Sequence, residues 1–179
     1  MANTATLYRF HIELADVQRS VYESLDLRVA QHPSEAMPYL LTRILAFALN
    51  AQEGLEFSAT GLHDPDAAPI NVADAYGGYQ LIIEIGSPSA RRMHKVMKTA
   101  KKAKVYTYKN PGNMLSELRS EKIHRGEEIE LFSISAEFLD QLATVLKRDN
   151  RWSLLFDDGT ITIQAGEQSF ASELQSHQL

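Results

Sequence analysis

Cysteine is absent from the 179 residues. That excludes a disulfide framework and thiolate zinc centres, and it fits a reducing compartment, so a cytoplasmic location is expected. Long apolar runs are lacking too. The longest, Tyr39 to Leu49, is interrupted by Arg43 and falls short of the roughly 20 residues of a membrane span. Met1 to Thr6 is small and polar, unlike the apolar core of a secretory leader. A soluble chain without membrane contact is expected. No phosphate-loop pattern follows Gly77-Gly78, and neither a nucleophile elbow nor an HExxH helix occurs, so three common catalytic classes have no motif here. Internal repeats and low-complexity segments are also missing.

What is present is ordinary in bulk: 44% hydrophobic and 23% charged residues. The length fits one domain over residues 1–179, with room for a smaller subdomain packed against it, and a core of that size needs no metal or disulfide staple. The net charge of −5 hides an asymmetry. No acidic residue stands between Glu84 and Glu117, while Arg91, Arg92, Lys95, Lys98, Lys101, Lys102, Lys104 and Lys109 all do. A basic block on an acidic chain can favour a polyanion, so segment 91–109 is a candidate nucleic-acid contact; a solvated helix face is the plainer reading.

Periodicity sets out the elements. Tyr8, Phe10, Ile12 and Leu14 alternate with polar residues, as do Leu25, Leu27 and Val29, and the polar stretch between them predicts a long-looped hairpin. Ser34 is read as the N-cap of a helix over 35–50 opened by Glu35, with Pro38 in its first turn. Residues 55–58 read as a short strand, 60–69 as a loop and 70–74 as a connection. Tyr79 to Ile85 is nearly continuous in apolar residues, the mark of a central strand covered on both faces. A helix over 89–103 follows, with Arg91, Lys95, Lys98 and Lys102 opposite its apolar stripe. The next strand, 105–108, implies a parallel crossover. A short helix at 114–120 and a strand at 129–134 come next, then a helix capped by Ser135. The end is a meander turning at Asp157-Asp158-Gly159, an edge strand at 168–171 and a fraying tail.

Chemistry is sought among carboxylates in awkward places. Glu84 interrupts an apolar strand, Asp74 precedes its turn, and Glu35 opens a helix. A buried carboxylate is costly unless it is paired, hydrogen-bonded or bound to metal. Three converging carboxylates would make a hard-oxygen site for Mg²⁺ or Mn²⁺. Against this stand plain structural roles: an ion pair of Glu84 with Arg43 or Arg92, a helix-start charge at Glu35, a loop aspartate at Asp74. His63-Asp64-Pro65-Asp66 could touch a metal but has the composition of a loop. His11 and His32 lack a ligand partner at recognisable spacing. Tyr106 and Tyr108 among lysines could stack on bases, though alternating tyrosines more often pack beneath a sheet.

Two segments carry a resemblance. His32-Pro33-Ser34-Glu35 opening a helix that bears Arg43, and Leu81-Ile82-Ile83-Glu84-Ile85-Gly86 followed by Ser87-Pro88, Arg92 and Lys95, resemble the signatures of the YaeQ family. The likeness spans nearly the whole chain. That family is similar in fold to the PD-(D/E)XK, restriction-endonuclease-like nucleases. The resemblance therefore implies an α/β fold: a mixed sheet flanked by helices 35–50 and 89–103, with an additional β-rich portion from the N- and C-terminal hairpins. It also implies a divalent-metal-dependent nuclease-like protein acting on nucleic-acid phosphodiesters. Glu35, Asp74 and Glu84 would bind Mg²⁺ or Mn²⁺, which lowers the pKa of water and stabilises charge on the phosphate. Gly86 stands where those enzymes carry the motif lysine, so Lys95, with Arg92 beside it, would supply the cation. The alternative is a non-catalytic binding protein that retains the nuclease fold, a partner of nucleic-acid or transcription machinery.

Overall fold

The first alternating segment forms a strand that runs further than its apolar core, Thr6–Asp16, because its polar positions face outward beside an equally long partner, Val21–Gln31. The computed structural model describes residues 4–179, so the opening residues, part of the segment read as lacking a leader, lie outside it. In chain order its strands and helices are β1 (Thr6–Asp16), β2 (Val21–Gln31), α1 (Met37–Leu49), β3 (Leu55–Phe57), β4 (Ile70–Ala73), β5 (Tyr79–Ile85), α2 (Ala90–Thr99) and β6 (Ala100–Thr107). Then come α3 (Gly112–Ser120), β7 (Glu130–Ser133), α4 (Ala136–Val145), β8 (Asp149–Asp157), β9 (Thr160–Ala165), β10 (Gln168–Glu173) and β11 (Gln175–His177). These elements divide into two compact units. Among the described residues no helix is long and apolar enough to cross a membrane.

The first unit comprises Met1–Ala51 and Ser135–Leu174. Its mixed sheet has the order β10-β9-β8-β1-β2, with β8 parallel to β1 and every other pair antiparallel. Phe10, Ile12 and Leu14 on β1 and Trp152 and Leu154 on β8 are buried, and the Phe10 and Trp152 rings meet edge to face at 5.1 Å. Helix α1 packs on β1 and α4. The β1–β2 connection is short, residues 17–20, and not the long loop expected, because Tyr22, Glu23 and Ser24 extend β2 along its exposed positions. The β8–β9 turn is the one read from Asp157-Asp158-Gly159: Asp158 and Gly159 have φ of 47° and 73°, the primed geometry that matches strand twist.

The second unit comprises Gln52–Ile134 and Gln175–Leu179. Its sheet runs β11-β7-β6-β5-β4-β3, parallel across β5-β6-β7 and antiparallel at both edges. The parallel crossover predicted through α2 is present. Ile82, Ala103, Val105 and Leu131 on the sheet pack with Met93, Val96 and Met97 of α2 and with Met114, Leu115 and Leu118 of α3 in one core. Residues 70–74, read as a connection, instead supply β4, hydrogen-bonded to β5. The tail expected to fray pairs with β7 as β11. Helix α2 also ends earlier than expected. Ala100 already lies opposite Tyr79 in the ladder, so Lys101, Lys102 and Lys104 belong to a strand. Strand alternation then sends Lys102 and Lys104 to the face opposite Ala103 and Val105, away from α2.

Candidate functional site

Glu84 lies one step short of the C-terminal end of β5. It shares the α2-facing side of the sheet with Ile82, since side chains two apart on a strand point the same way. The chain then turns through Gly86, whose φ of 89° is left-handed, and Ser89 caps α2 by accepting the Arg92 N–H at 3.2 Å. That cap places Arg92 in the first turn, directed back at the strand end. Its Nε and Nη2 donate to one oxygen of Glu84 at 2.9 and 2.6 Å, and its Nη1 donates to the Asp66 carbonyl at 2.7 Å. Both side chains are nearly buried, 14% exposed for Arg92 and 8% for Glu84. Burial pushes the Glu84 carboxyl above the usual carboxylate range, with the Arg92 hydrogen bond and charge pulling the other way. Of the two partners considered for Glu84, the structure uses Arg92.

Arg43 is committed elsewhere. In the first unit it forks onto Glu35, with Nε to Oε1 and Nη2 to Oε2 both at 3.1 Å, and Nη2 also donates to the Ala30 carbonyl at 3.1 Å. Glu35 is not inside a helix. It sits two residues before α1, its Oε2 accepting the His32 N–H at 3.1 Å. Ser34 is bonded to the His32 ring at 2.6 Å and caps nothing; the N-cap is Ala36. Burial raises the Glu35 carboxyl despite Arg43. Asp74 stands in the turn before β5, where its N–H donates to the Gly78 carbonyl and its carboxylate pairs with Lys101 at 2.9 Å. The Lys101 hydrogen bond holds that carboxyl below the usual range.

The structure thus brings together Glu84, Arg92 and, through Asp66, Lys95, whose ammonium lies 2.8 Å from the Asp66 carboxylate. Asp74 and Glu84 are not brought together. They flank β5 from opposite ends, and Tyr79 to Glu84 alone spans about 17 Å of strand. Glu35 belongs to the other unit. Among the described residues, no three His, Asp or Glu side chains form a group that could hold a metal ion.

Beside this cluster and sharing Lys95 with it, Arg91, His94, Lys95 and Lys98 of α2, Glu117 of α3 and Glu121 just after α3 line an open groove of about 590 Å³. Glu117 accepts the Ala90 N–H at 2.9 Å, a cap from 27 residues away that no local pattern announces. Asp66 is, by sequence, only a weak metal candidate; its contact with α2 likewise depends on loop closure over 29 residues. His11 pairs with Glu13 at 3.0 Å on an exposed sheet face. Tyr106 is buried against Phe132, ring centres 5.0 Å apart, so it packs and presents no face to a base. Lys109 lies 5.9 Å over the Tyr108 ring.

The pattern of the YaeQ protein family matches residues 1–174. The chain belongs to the YaeQ family. It is 29% identical over 167 residues to the YaeQ protein of Escherichia coli (strain K12), covering 92% of this chain and 85% of that one. The YaeQ protein of Salmonella typhi is 29% identical over 173 residues, 96% of this chain and 88% of that one. Among solved structures, the YaeQ protein of Xanthomonas axonopodis pv. citri superposes with a TM-score of 0.90 at 27% identity, covering 98% and 99% of the two chains. That of Pseudomonas syringae superposes with a TM-score of 0.87 at 25% identity, covering 96% and 95%. The mixed α/β architecture with two sheets and flanking helices is therefore the YaeQ architecture.

Proposed function

We propose that this YaeQ-family chain binds nucleic acid through the cationic side of α2 and does not cleave it. The carrying observation is the stripe Arg91, Lys95, Lys98, at steps of four and three on one side of a helix that has no acidic residue. Arg91 and Lys98 form no ion pair with any described residue, and both line the groove beside α3. By contrast Arg92, Lys101 and Lys104 of the basic block are occupied by Glu84, Asp74 and Glu130. The effective contact is thus shorter than the 91–109 segment expected from charge alone. A cysteine-free composition and a nucleic-acid ligand both accord with a cytoplasmic protein.

The hydrolytic alternative needs Glu35, Asp74 and Glu84 around one Mg²⁺ or Mn²⁺, and these residues do not fit that ion. Each already holds an internal cation, Arg43, Lys101 and Arg92 respectively, and two of them stand at opposite ends of one strand. Lys95, which would replace the motif lysine, is directed to Asp66, while Gly86 at the motif position serves a left-handed turn. We read the second unit as a diverged relative of the PD-(D/E)XK fold. What supports that reading is a mixed sheet whose central strand carries Glu84 and leads into a parallel crossover.

Fluorescence anisotropy with labelled single-stranded and duplex oligonucleotides tests the proposal. Affinity should fall with salt, and Arg91→Glu with Lys98→Glu should abolish binding while leaving the fold intact by circular dichroism. Neutralising one phosphate-binding cation should reduce the slope of log K against log salt by about 0.7 to 0.9. Mg²⁺- or Mn²⁺-dependent cleavage that disappears in Glu84→Gln would overturn the non-catalytic reading.

A further inference from the structure

We infer that Asp66 occupies the position of a nucleic-acid phosphate on α2, and that binding proceeds by its displacement; this rests on the reading that α2 binds nucleic acid. Asp66 sits in the loop joining β3 to β4, on a turn in which its N–H donates to Asp64 Oδ1 at 2.9 Å and the Ala67 N–H donates to the Asp64 carbonyl at 3.1 Å. That turn carries the carboxylate onto a place where three cations of α2 lie within two helical turns. Lys95 Nζ is 2.8 Å from the carboxylate and Arg92 donates to the Asp66 carbonyl at 2.7 Å. Lys95 chiefly, and Arg92 and Arg91 by charge, draw the Asp66 carboxyl below its usual range. Lys95 thus meets the carboxylate directly, while Arg92, held on Glu84, fixes the Asp66 backbone beside it.

Nothing in the fold demands a carboxylate there. The Asp66 side chain is 69% exposed and that of Lys95 55%, and an exposed pair of this kind contributes little to folding. Glu84 differs: it is buried, and Arg92 is fixed on it whether or not Asp66 stays. A phosphate diester offers Lys95 and Arg91 a full negative charge spread over two oxygens. The carboxylate and the phosphate both make charge-assisted contacts with Lys95, and the phosphate contacts come in addition with counterion release that an internal aspartate cannot supply. The loop thus acts as a tethered competitor for Lys95, lowering affinity for weak polyanions and yielding to a strand that also engages Lys98 in the groove beside α3.

The experiment compares the parent protein with Asp66→Asn and Asp64→Asn in titrations of a labelled single-stranded oligonucleotide, with inorganic phosphate as a second probe. Asparagine keeps the turn's hydrogen bonding and removes only the charge. Asp66→Asn should bind about two- to fivefold tighter, the size expected for releasing one exposed pair, and Lys95→Met in the Asp66→Asn background should remove the gain. Inorganic phosphate should compete better against the oligonucleotide in Asp66→Asn than in the parent. An equal gain from Asp64→Asn overturns the inference, because net charge alone then accounts for it. An unchanged affinity in Asp66→Asn, with Arg91→Glu still weakening binding, overturns the displacement while sparing the binding surface. No binding by parent or variants overturns both.

Discussion

Replacing Arg92 with methionine is the sharpest test of whether Glu84 is a structural carboxylate. Methionine keeps most of the aliphatic stem and deletes the guanidinium, so Glu84 loses both hydrogen bonds to its Oε1, at 2.9 and 2.6 Å, in a site where it is only 8% exposed. Breaking a buried pair by removing one partner costs about 3–5 kcal/mol. The loss should be read as a fall in the urea midpoint at unchanged m-value. Glu84→Gln/Arg92→Met, which leaves no buried charge, should recover much of it, and the double-mutant cycle isolates the coupling. The pH dependence has a definite sign. Without Arg92 the Glu84 carboxyl rises further above its ordinary 4.5, the folded state takes up a proton above that value, and the penalty shrinks as pH falls toward it. Millimolar Mg²⁺ should leave the parent's Tm unchanged. The reasoning fails if Arg92→Met costs less than about 1 kcal/mol, or if Mg²⁺ raises the Tm of the parent but not of Glu84→Gln.

Three further outcomes follow from the geometry. Gly78 has φ of +82° and a Cβ there would meet the Thr99 carbonyl at 2.8 Å, whereas Gly77 is left-handed with open space around it. Gly77→Ala should therefore cost about 1 kcal/mol and Gly78→Ala clearly more, by urea unfolding. Ser89→Ala removes the α2 cap and should cost about 0.5–2 kcal/mol, with increased amide exchange confined to the first turn of α2. In the parent, burial raises the Glu35 and Glu84 carboxyls. The native state then holds more protons than the unfolded chain just above their ordinary value, and stability from these groups declines as pH rises through that window. Glu35→Gln should flatten the decline; an unaltered slope of urea midpoint against pH would show that Glu35 titrates normally.

Elements whose signal is local were legible in the sequence. The run Tyr79 to Ile85 gave β5 to the residue, Ser135 capped α4, and Asp158-Gly159 formed the turn its chemistry demands. Where competing signals were present, the ladder decided. Residues 100–103 suit a helix by propensity, yet pairing Ala100 opposite Tyr79 takes them into β6. Ser34 has a cap's side chain but spends it on His32. Short strands such as β4 and β11 have too few residues for a period to emerge, and they exist because neighbouring strands offer them backbone partners. At the site, Glu84, Arg92 and Lys95 were identified as neighbours in chemistry. Which cation meets which carboxylate was not readable, because Arg43 and Arg92 each stand eight residues after a buried glutamate. Only the turn geometry after Glu84 assigns Arg92 to it.

The parallel pairing of β8 with β1 joins Phe10 to Asn150 across most of the chain, and both compact units are assembled from segments separated in sequence. On the ribosome, β1 and β2 emerge ahead of β8 as a hairpin in which one backbone edge of β1 has no partner until Asp149–Asp157 leave the exit tunnel. The first unit must wait, partly built, while some eighty residues of the second are synthesised. Slow, late closure is the expected cost of such a route. Newly made chains should lean on chaperones more than an uninterrupted α/β domain of this length would.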